Sequence, residues 1–231
     1  MNPLEANKPL EIKKWMDHVL SDEAAKQICR IAEESFPPEE REPCQTLIKT
    51  IQEGRSILYM ASFKKNMIRG FTKLTQLKKT NIYLMEYLAV ETHCRNQGIG
   101  GKILQFIKKD LGAGKALGLI LEVEPPEKTS NGEKEIRQRR IRFYPRNGAQ
   151  MVLDGGTYRM PNLAGEGSLP MHLMWLPIKE GGRPPTKLTL SELFTLIFSE
   201  TYGGEPNETL LHAIIKELPN PDAPIELEER Q

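Results

Sequence analysis

Three glycines follow an apolar segment near the middle of the chain, and their position indicates a site for an anion. Residues 83–90 are mostly aromatic and apolar, as in a buried strand, and residues 91–101 are rich in loop residues and glycine. Apolar residues then recur at helical spacing, at Ile103, Leu104, Ile107 and Leu111. The glycines therefore sit at a helix N-terminus, whose unpaired N–H groups and positive dipole end can hold a phosphate.

Two common phosphate-binding patterns fail at particular residues. A P-loop needs glycine at the position of Asn96 and serine or threonine at the position of Ile103. The dinucleotide-binding fingerprint needs a small residue where Ile103 stands. The pattern that remains is Arg95-x-x-Gly98-x-Gly100, directly after a strand that ends Leu-Ala-Val.

This pattern closely resembles the coenzyme A signature of the GNAT-type N-acetyltransferase superfamily. A Phe143-Tyr144 pair followed by Gly148 matches a second element of that family. The resemblance covers about residues 11–178 and implies an α/β fold, with a mixed, mostly antiparallel central sheet flanked by helices. We expect a GNAT-like catalytic domain over residues 1–180 and a helical C-terminal extension over residues 181–231.

The resemblance also implies how acetyl-CoA binds. The end of the central strand is expected to offer backbone groups to the pantetheine arm, and the glycine loop is expected to offer amides to the pyrophosphate, with Arg95 as a cation at its entrance. The expected cofactor-binding residues are Leu88, Ala89, Val90, Arg95, Gln97, Gly98, Ile99, Gly100 and Gly101.

Tyr144 matches the tyrosine that in many of these enzymes donates a proton to the departing CoA thiolate. The sequence departs from the family at two nearby places. Pro145 follows the tyrosine directly and should prevent a regular helix from continuing, and Arg137 stands near the place of a frequent asparagine.

A protonated amine has no lone pair, so a base is expected, and Glu86 on the central strand is the first candidate. Alternation along that strand would put Glu86 on one face with Leu84 and Leu88, and leaves open which face meets the cleft. Glu122 and Glu124 on the next strand are rivals, as a base or as anchors for a cationic acceptor, and bulk water is the remaining alternative.

Basic residues are concentrated just before and around Tyr144. We interpret them as a solvated helix face, with binding of the ribose phosphate or of an acidic acceptor as the alternative. Nucleic acid is not expected, because aromatic residues do not interleave the cations. The residues are Lys134, Arg137, Arg139, Arg140, Arg142 and Arg146.

Composition excludes several function classes. The chain has 231 residues and a formal charge of +1, so no global field favours nucleic acid or an anionic membrane. No apolar run approaches the roughly 20 residues that cross a bilayer, and we expect a soluble cytoplasmic protein. Cys29, Cys44 and Cys94 are interpreted as thiols, since their number and spacing fit neither a disulfide framework nor a zinc site. No metal is expected.

The C-terminal extension has its own helix signals. Thr189 and Glu192 form a predicted capping box, and the following helix carries Leu193 and Phe194, which must pack on the domain or on another subunit. A homodimer through these helices is therefore one expected assembly. A second helix is predicted over residues 207–218, and residues 219–231 are expected to form a polar tail.

The sequence as a whole predicts an acyltransferase that moves an acetyl group from acetyl-CoA to a primary amine by direct attack in a ternary complex. The acceptor is left open, since a small metabolite, an antibiotic-like amine, an amino acid and a protein amino terminus require the same groups. The alternative is a non-catalytic acyl-CoA-binding regulatory or interaction module.

Overall fold

The computed structural model describes residues 9–16, 19–64, 67–126, 131–203 and 205–227. The chain divides into two compact units. Unit 1 is drawn from Met1–Thr75, Met85–Asp110 and Leu163–Gly165, and unit 2 from Gln76–Leu84, Leu111–Asn162 and Glu166–Gln231. This grouping does not follow the chain order, and the division into residues 1–180 and 181–231 stays a prediction.

Unit 1 contains four neighbouring strands of a sheet and three helices. β1 pairs antiparallel with β2, and β2 with β3, and β4 lies beside β3. The strands are β1 Glu11–Lys14, β2 Ile57–Lys64, β3 Met67–Gln76 and β4 Ile82–Val90. The helices are α1 Asp22–Ser35, α2 Cys44–Gln52 and α3 Ile99–Gly112.

Unit 2 contains the first residues of β4 and the strands that follow it in the sheet. The order after β4 is β5, β9 and β6, and β9 pairs antiparallel with both of its neighbours. The strands are β5 Gly118–Val123, β6 Gln150–Leu153, β7 Arg159–Pro161, β8 Ser168–Pro170 and β9 His172–Pro177. The helices are α4 Asn131–Arg146, α5 Leu190–Ile197 and α6 Glu205–Glu217. The predicted mixed, mostly antiparallel sheet with flanking helices is thus confirmed.

Helix α1 shows how local sequence places the core of unit 1. The side chain of Ser21 accepts a hydrogen bond from the amide of Ala24 and so caps the helix, as predicted. Ile28 and Ile31 are completely buried and belong to one apolar cluster with residues of α2 and of strands β2 to β4. The amphipathic face of the helix therefore fixes it against the sheet.

One glycine in unit 2 is required by a close approach. A Cβ atom at Gly118 would lie 2.3 Å from two ring atoms of Trp175. Trp175 is the largest fully buried side chain, and its indole N–H donates to the carbonyl of Gly182 at 3.0 Å. The absence of a side chain at the start of β5 therefore gives this ring its place in the core.

The interpretation of the cysteines as three thiols is wrong for two of them. Cys29 of α1 and Cys44 at the start of α2 form a disulfide, with their Cα atoms 5.5 Å apart. Cys94 is a buried thiol outside this disulfide, and its Sγ donates to the carboxylate of Glu91 at 3.6 Å. The disulfide forms because α1 and α2 pack in one cluster, which brings together two positions that sequence spacing alone does not relate.

Pro145 lies inside α4, which extends one residue beyond it and ends at Arg146, so the helix stops close to the predicted place. Proline removes one N–H donor, and at the end of a helix that loss affects a single bond. The carbonyl of Tyr144 accepts from the amide of Asn147, and that of Pro145 from the amide of Gly148.

The C-terminal extension packs within unit 2. The predicted capping box at Thr189 and Glu192 is present, and Leu193 and Phe194 are completely buried in this chain. The predicted polar tail is wrong over its first part, since the amide of Ile225 donates to the carbonyl of Leu188 and its side chain is buried. The homodimer through these helices stays a prediction.

Candidate active site

The glycine loop leads into a helix, as the sequence predicted. Asn96 and Gly98 have positive φ angles of 62° and 75°, so the chain turns sharply just before α3 begins at Ile99. The amide of Lys102 donates to the carbonyl of Gly98, which closes the first helical turn. The amides before Lys102 are those that a helix leaves without an intrahelical partner.

Arg95 fastens this loop to the rest of unit 1. Its guanidinium donates to the carbonyl of Val90 at 3.0 Å, to the carbonyl of Glu34 at 3.3 Å and to the hydroxyl of Ser35 at 3.0 Å. It therefore joins the loop to the ends of β4 and α1. Its predicted contact with the pyrophosphate is not tested by these bonds.

Glu91 is a second anchor of the loop, and the sequence analysis missed it. Its carboxylate, 6% exposed, contacts Arg30 of α1 at 2.6 Å and also receives a hydrogen bond from Arg69 of β3. Burial alone would raise the pKa of Glu91, but the two guanidinium groups outweigh it and lower the pKa. The carboxylate thus stays ionised at the start of the loop.

The end of β4, residues 88–90, lies close to β3. A Cβ atom at Gly70 would come within 2.9 Å of the carbonyl oxygen of Ala89, so glycine permits this approach. The carbonyl of Val90 already accepts from Arg95. The predicted role of these backbone groups toward pantetheine stays a prediction.

The predicted base, Glu86, belongs to a buried cluster of charges in unit 1. Its side chain is 6% exposed, and one of its oxygens accepts from the ammonium group of Lys73 at 2.7 Å. Its other oxygen accepts from the hydroxyl of Thr75 at 2.5 Å. The same Lys73 nitrogen donates to Glu42 at 2.8 Å. A single buried cation therefore holds two carboxylates.

Glu42 and Lys73 were not singled out from the sequence. Glu42 lies in the segment before α2, and its amide donates to the hydroxyl of Tyr87 at 2.8 Å. Within the described part of the chain, one of its carboxylate oxygens is buried without a hydrogen-bond partner. Only the fold relates these residues, which are 31 positions apart.

Glu86 and Tyr87 are consecutive, yet both reach side chains of one face of β3. Glu86 bonds to Lys73 and Thr75, and the ring of Tyr87 lies 6.4 Å from that of Phe71, measured between centroids. Residues 71, 73 and 75 share a face of β3 because side chains alternate along a strand. The strict alternation expected along β4 is therefore not kept at Glu86.

Burial is the main influence on the proton affinity of Glu86. It raises the pKa of this carboxyl, and repulsion by Glu42 acts in the same direction. Attraction by Lys73 and the hydrogen bond from Thr75 oppose the rise without cancelling it. A carboxylate of this kind is a stronger base than an exposed one.

Tyr144 lies in unit 2, near the end of α4. Its ring packs edge to face on Phe143, with centroids 5.2 Å apart, and its hydroxyl makes no hydrogen bond to another residue that the structure describes. Burial raises the pKa of Tyr144 to about 12, Arg140 opposes this rise, and Glu124 adds to it. The phenol is therefore protonated throughout the neutral pH range.

The two rival carboxylates on β5 have partners in unit 2. Glu124 forms an ion pair with Arg140 of α4. Glu122 accepts from the hydroxyls of Tyr158, at 2.5 Å, and Tyr202, at 2.7 Å. Tyr202 lies in a π-helical turn directly after α5, so Glu122 holds the C-terminal extension to β5.

The structure thus places the predicted residues in two groups. Glu86 and the cofactor residues between Leu88 and Gly101 lie in unit 1, and Tyr144 lies in unit 2. No set of three or more histidine, cysteine or acidic side chains that could hold a metal occurs in the described residues, and none of their helices is long and apolar enough to span a bilayer.

Comparison with known proteins adds a relative and several similar structures. The relative is "Putative acetyltransferase YjbC" of Bacillus subtilis (strain 168), which is 29% identical over 180 residues, or 76% of this chain and 85% of that protein. A structure described as "Putative acetyltransferase from GNAT family" from Bacteroides thetaiotaomicron is 26% identical, has a TM-score of 0.61 and covers 78% of this chain and 92% of its own. No family model matches the chain.

A third protein shares the fold at lower identity. It is an aminoglycoside 6'-N-acetyltransferase complexed with coenzyme A, 16% identical, with a TM-score of 0.56 over 76% of this chain and 99% of its own. Together with the glycine loop and the sheet, the relative and the Bacteroides structure confirm the sequence-based resemblance to GNAT-type acetyltransferases and the acyltransferase class.

Proposed function

We propose that the chain transfers an acetyl group from acetyl-CoA to a primary amine by direct attack in a ternary complex. The observation that carries the proposal is the turn at Asn96 and Gly98, which presents the first amides of α3 as an anion site. The coenzyme A complex of the aminoglycoside 6'-N-acetyltransferase, which has the same fold, supports coenzyme A as the ligand.

The predicted residues have the following roles in this reaction, with Arg95 as a cation at the entrance of the glycine loop. The amides of residues 97–101 bind the pyrophosphate, and backbone groups of residues 88–90 bind the pantetheine arm and polarise the acetyl carbonyl. Glu86 takes a proton from the acceptor ammonium, directly or through water. The amine then attacks the thioester carbon, the C–S bond breaks with its electron pair leaving on sulfur, and the nitrogen loses its second proton to water. Tyr144 donates a hydrogen bond to the departing thiolate.

The cytoplasmic location predicted from the sequence is part of the proposal. The disulfide between Cys29 and Cys44 is the observation that weighs against it, because disulfides persist mainly in oxidising compartments. Thiol titration of protein isolated without reductant tests this point: one reactive thiol per chain after unfolding indicates the disulfide, and three indicate a reducing compartment.

The first experiment is calorimetric binding of acetyl-CoA and desulfo-CoA, followed by thiol release across a panel of primary amines. Binding with amine-dependent thiol release supports the transferase. Binding without release for every amine supports the non-catalytic module, and no binding rejects the glycine loop as the cofactor site.

Gly100→Asp tests the loop itself. A carboxylate among the pyrophosphate-binding amides would block and repel the ligand, so acetyl-CoA binding should become undetectable. Gly114→Asp is the matched control, since it makes the same change just beyond the other end of α3 and should keep the affinity of the native chain. Equal affinities of the two variants would place the cofactor elsewhere.

A further inference from the structure

We propose that Lys73 and Glu42 are positioning residues for Glu86, and that together they set the pH range in which Glu86 takes the proton of the acceptor amine. This inference rests on the proposed function, because it takes Glu86 as the base. It goes further by assigning the two residues that control this base, neither of which lies on β4.

The geometry fixes Glu86 from two sides. Lys73 is only 2% exposed, and its nitrogen lies within hydrogen-bond distance of both Glu86 and Glu42. Thr75 holds the other oxygen of Glu86. A long lysine side chain that would be mobile in solvent is thus immobilised between two carboxylates, and it orients the carboxylate of Glu86.

The charges of the cluster favour uptake of one proton. With Lys73 protonated and both carboxylates ionised, the buried groups carry a net charge of −1, and burial disfavours a net charge. When an N–H bond of the acceptor ammonium breaks and an O–H bond forms on Glu86, the cluster becomes neutral. The amine keeps the electron pair of the broken bond and uses it to attack the thioester carbon.

Lys73 and Glu42 act on Glu86 in opposite directions. The charged and polar groups that face Glu86 are Lys73 and Thr75 from β3 and Glu42 from the segment before α2, and the ring of Tyr87 lies beside Lys73. A nearby cation favours the carboxylate and a nearby anion favours the carboxylic acid. The cluster therefore balances two opposing influences on one proton.

Opposite shifts in the pH profile of kcat/KM are the test. Lys73→Met should raise the acid-side pKa by about one to three pH units, since the cation is lost. Glu42→Gln should lower it, since the repulsion is lost. Merely structural residues would reduce activity without moving this pKa, so unmoved pKa values, or shifts in the same direction, would overturn the proposal.

The exposed pair Lys49 and Glu53 provides matched controls. These residues form an ion pair at 3.8 Å and are 69% and 44% exposed, so Lys49→Met and Glu53→Gln should leave the profile unchanged. If Lys73→Met fails to fold, the lower pKa expected for the milder Glu42→Gln variant still decides the question.

A second readout does not depend on catalysis. The carboxyl ¹³C resonance of Glu86, identified by its loss in Glu86→Gln, can be titrated in the native chain and in each variant. If the native chain releases no thiol with any amine, the proposed function fails. Opposite changes in the Glu86 pKa obtained from this resonance in the two variants would then still support the coupling of Glu86 to Lys73 and Glu42. The absence of such changes would reject it.

Discussion

Replacing Tyr144 by phenylalanine should lower kcat for thiol release by about 10- to 150-fold and leave acetyl-CoA affinity nearly unchanged. The pKa of Tyr144 is about 12, whereas an ordinary thiol titrates near ~8.5. Complete transfer of the phenolic proton to the thiolate would therefore be unfavourable by about 5 kcal/mol. The role proposed for Tyr144 is therefore a hydrogen bond that stabilises the thiolate, not full protonation of it.

The magnitude follows from that hydrogen bond. A hydrogen bond to a charged group contributes about 1.5 to 3 kcal/mol, and each ~1.4 kcal/mol in the barrier changes the rate about tenfold. The ground state should be little affected, because the Tyr144 hydroxyl makes no hydrogen bond to another described residue and phenylalanine keeps the ring contact with Phe143. The midpoint of thermal unfolding should accordingly stay close to that of the native chain.

The assay is steady-state thiol release with the amine that reacts fastest, combined with calorimetric binding of desulfo-CoA. Tyr83→Phe is the matched control, with the same chemical change on β4. Because the Tyr144 pKa is raised, its ionisation should cause no loss of kcat between pH 7 and about pH 10. An unchanged kcat in Tyr144→Phe, or an alkaline loss near pH 8 that this variant removes, would refute the reasoning.

Two further predictions concern stability. Gly118→Ala should lower the free energy of unfolding in urea by about 1 to 3 kcal/mol, because its Cβ would collide with the ring of Trp175. The control is Gly165→Ala, which should leave the free energy of unfolding nearly unchanged because its Cβ meets nothing within 4 Å. Equal effects of the two substitutions would contradict the packing argument. The pKa of Glu91 is lowered in the folded state, so the ionised carboxylate stabilises the folded chain. This contribution is fully present above the pKa of Glu91 in the unfolded chain, about 4.3, and is lost as the pH falls through its pKa in the folded chain. The stability difference between the native chain and Glu91→Gln should therefore be larger at pH 7 than at pH 3 in urea unfolding, and a pH-independent difference would show that the two arginine contacts do not act through charge.

The local features of this fold were predictable because neighbouring residues determine them. Ser21 caps α1, and the Thr189 capping box begins α5. The turn before α3 follows from Gly98, whose positive φ costs glycine little. Each signal lies within a few residues of the structure that it specifies, so the pattern can be recognised without knowledge of the fold.

The chemical environment of the site was not predictable, because it depends on residues that are distant in sequence. Glu86 was correctly placed on a strand, but its contact with Lys73 depends on how β3 lies beside β4, and the place of Glu42 depends on how the segment before α2 meets the sheet. The disulfide between Cys29 and Cys44 was missed for the same reason. Nothing in the spacing of these residues encodes the packing that joins them.

The bond between Glu122 and Tyr202 has a consequence for synthesis on the ribosome. Its two residues are 80 positions apart, and the chain emerges from its N-terminal end. The ribosome therefore synthesises strand β5 well before the turn after α5, whose Tyr202 donates to the carboxylate of Glu122. Because non-local contacts form late and slowly, we expect nascent unit 2 to keep this buried strand exposed to chaperones until the extension has left the exit tunnel.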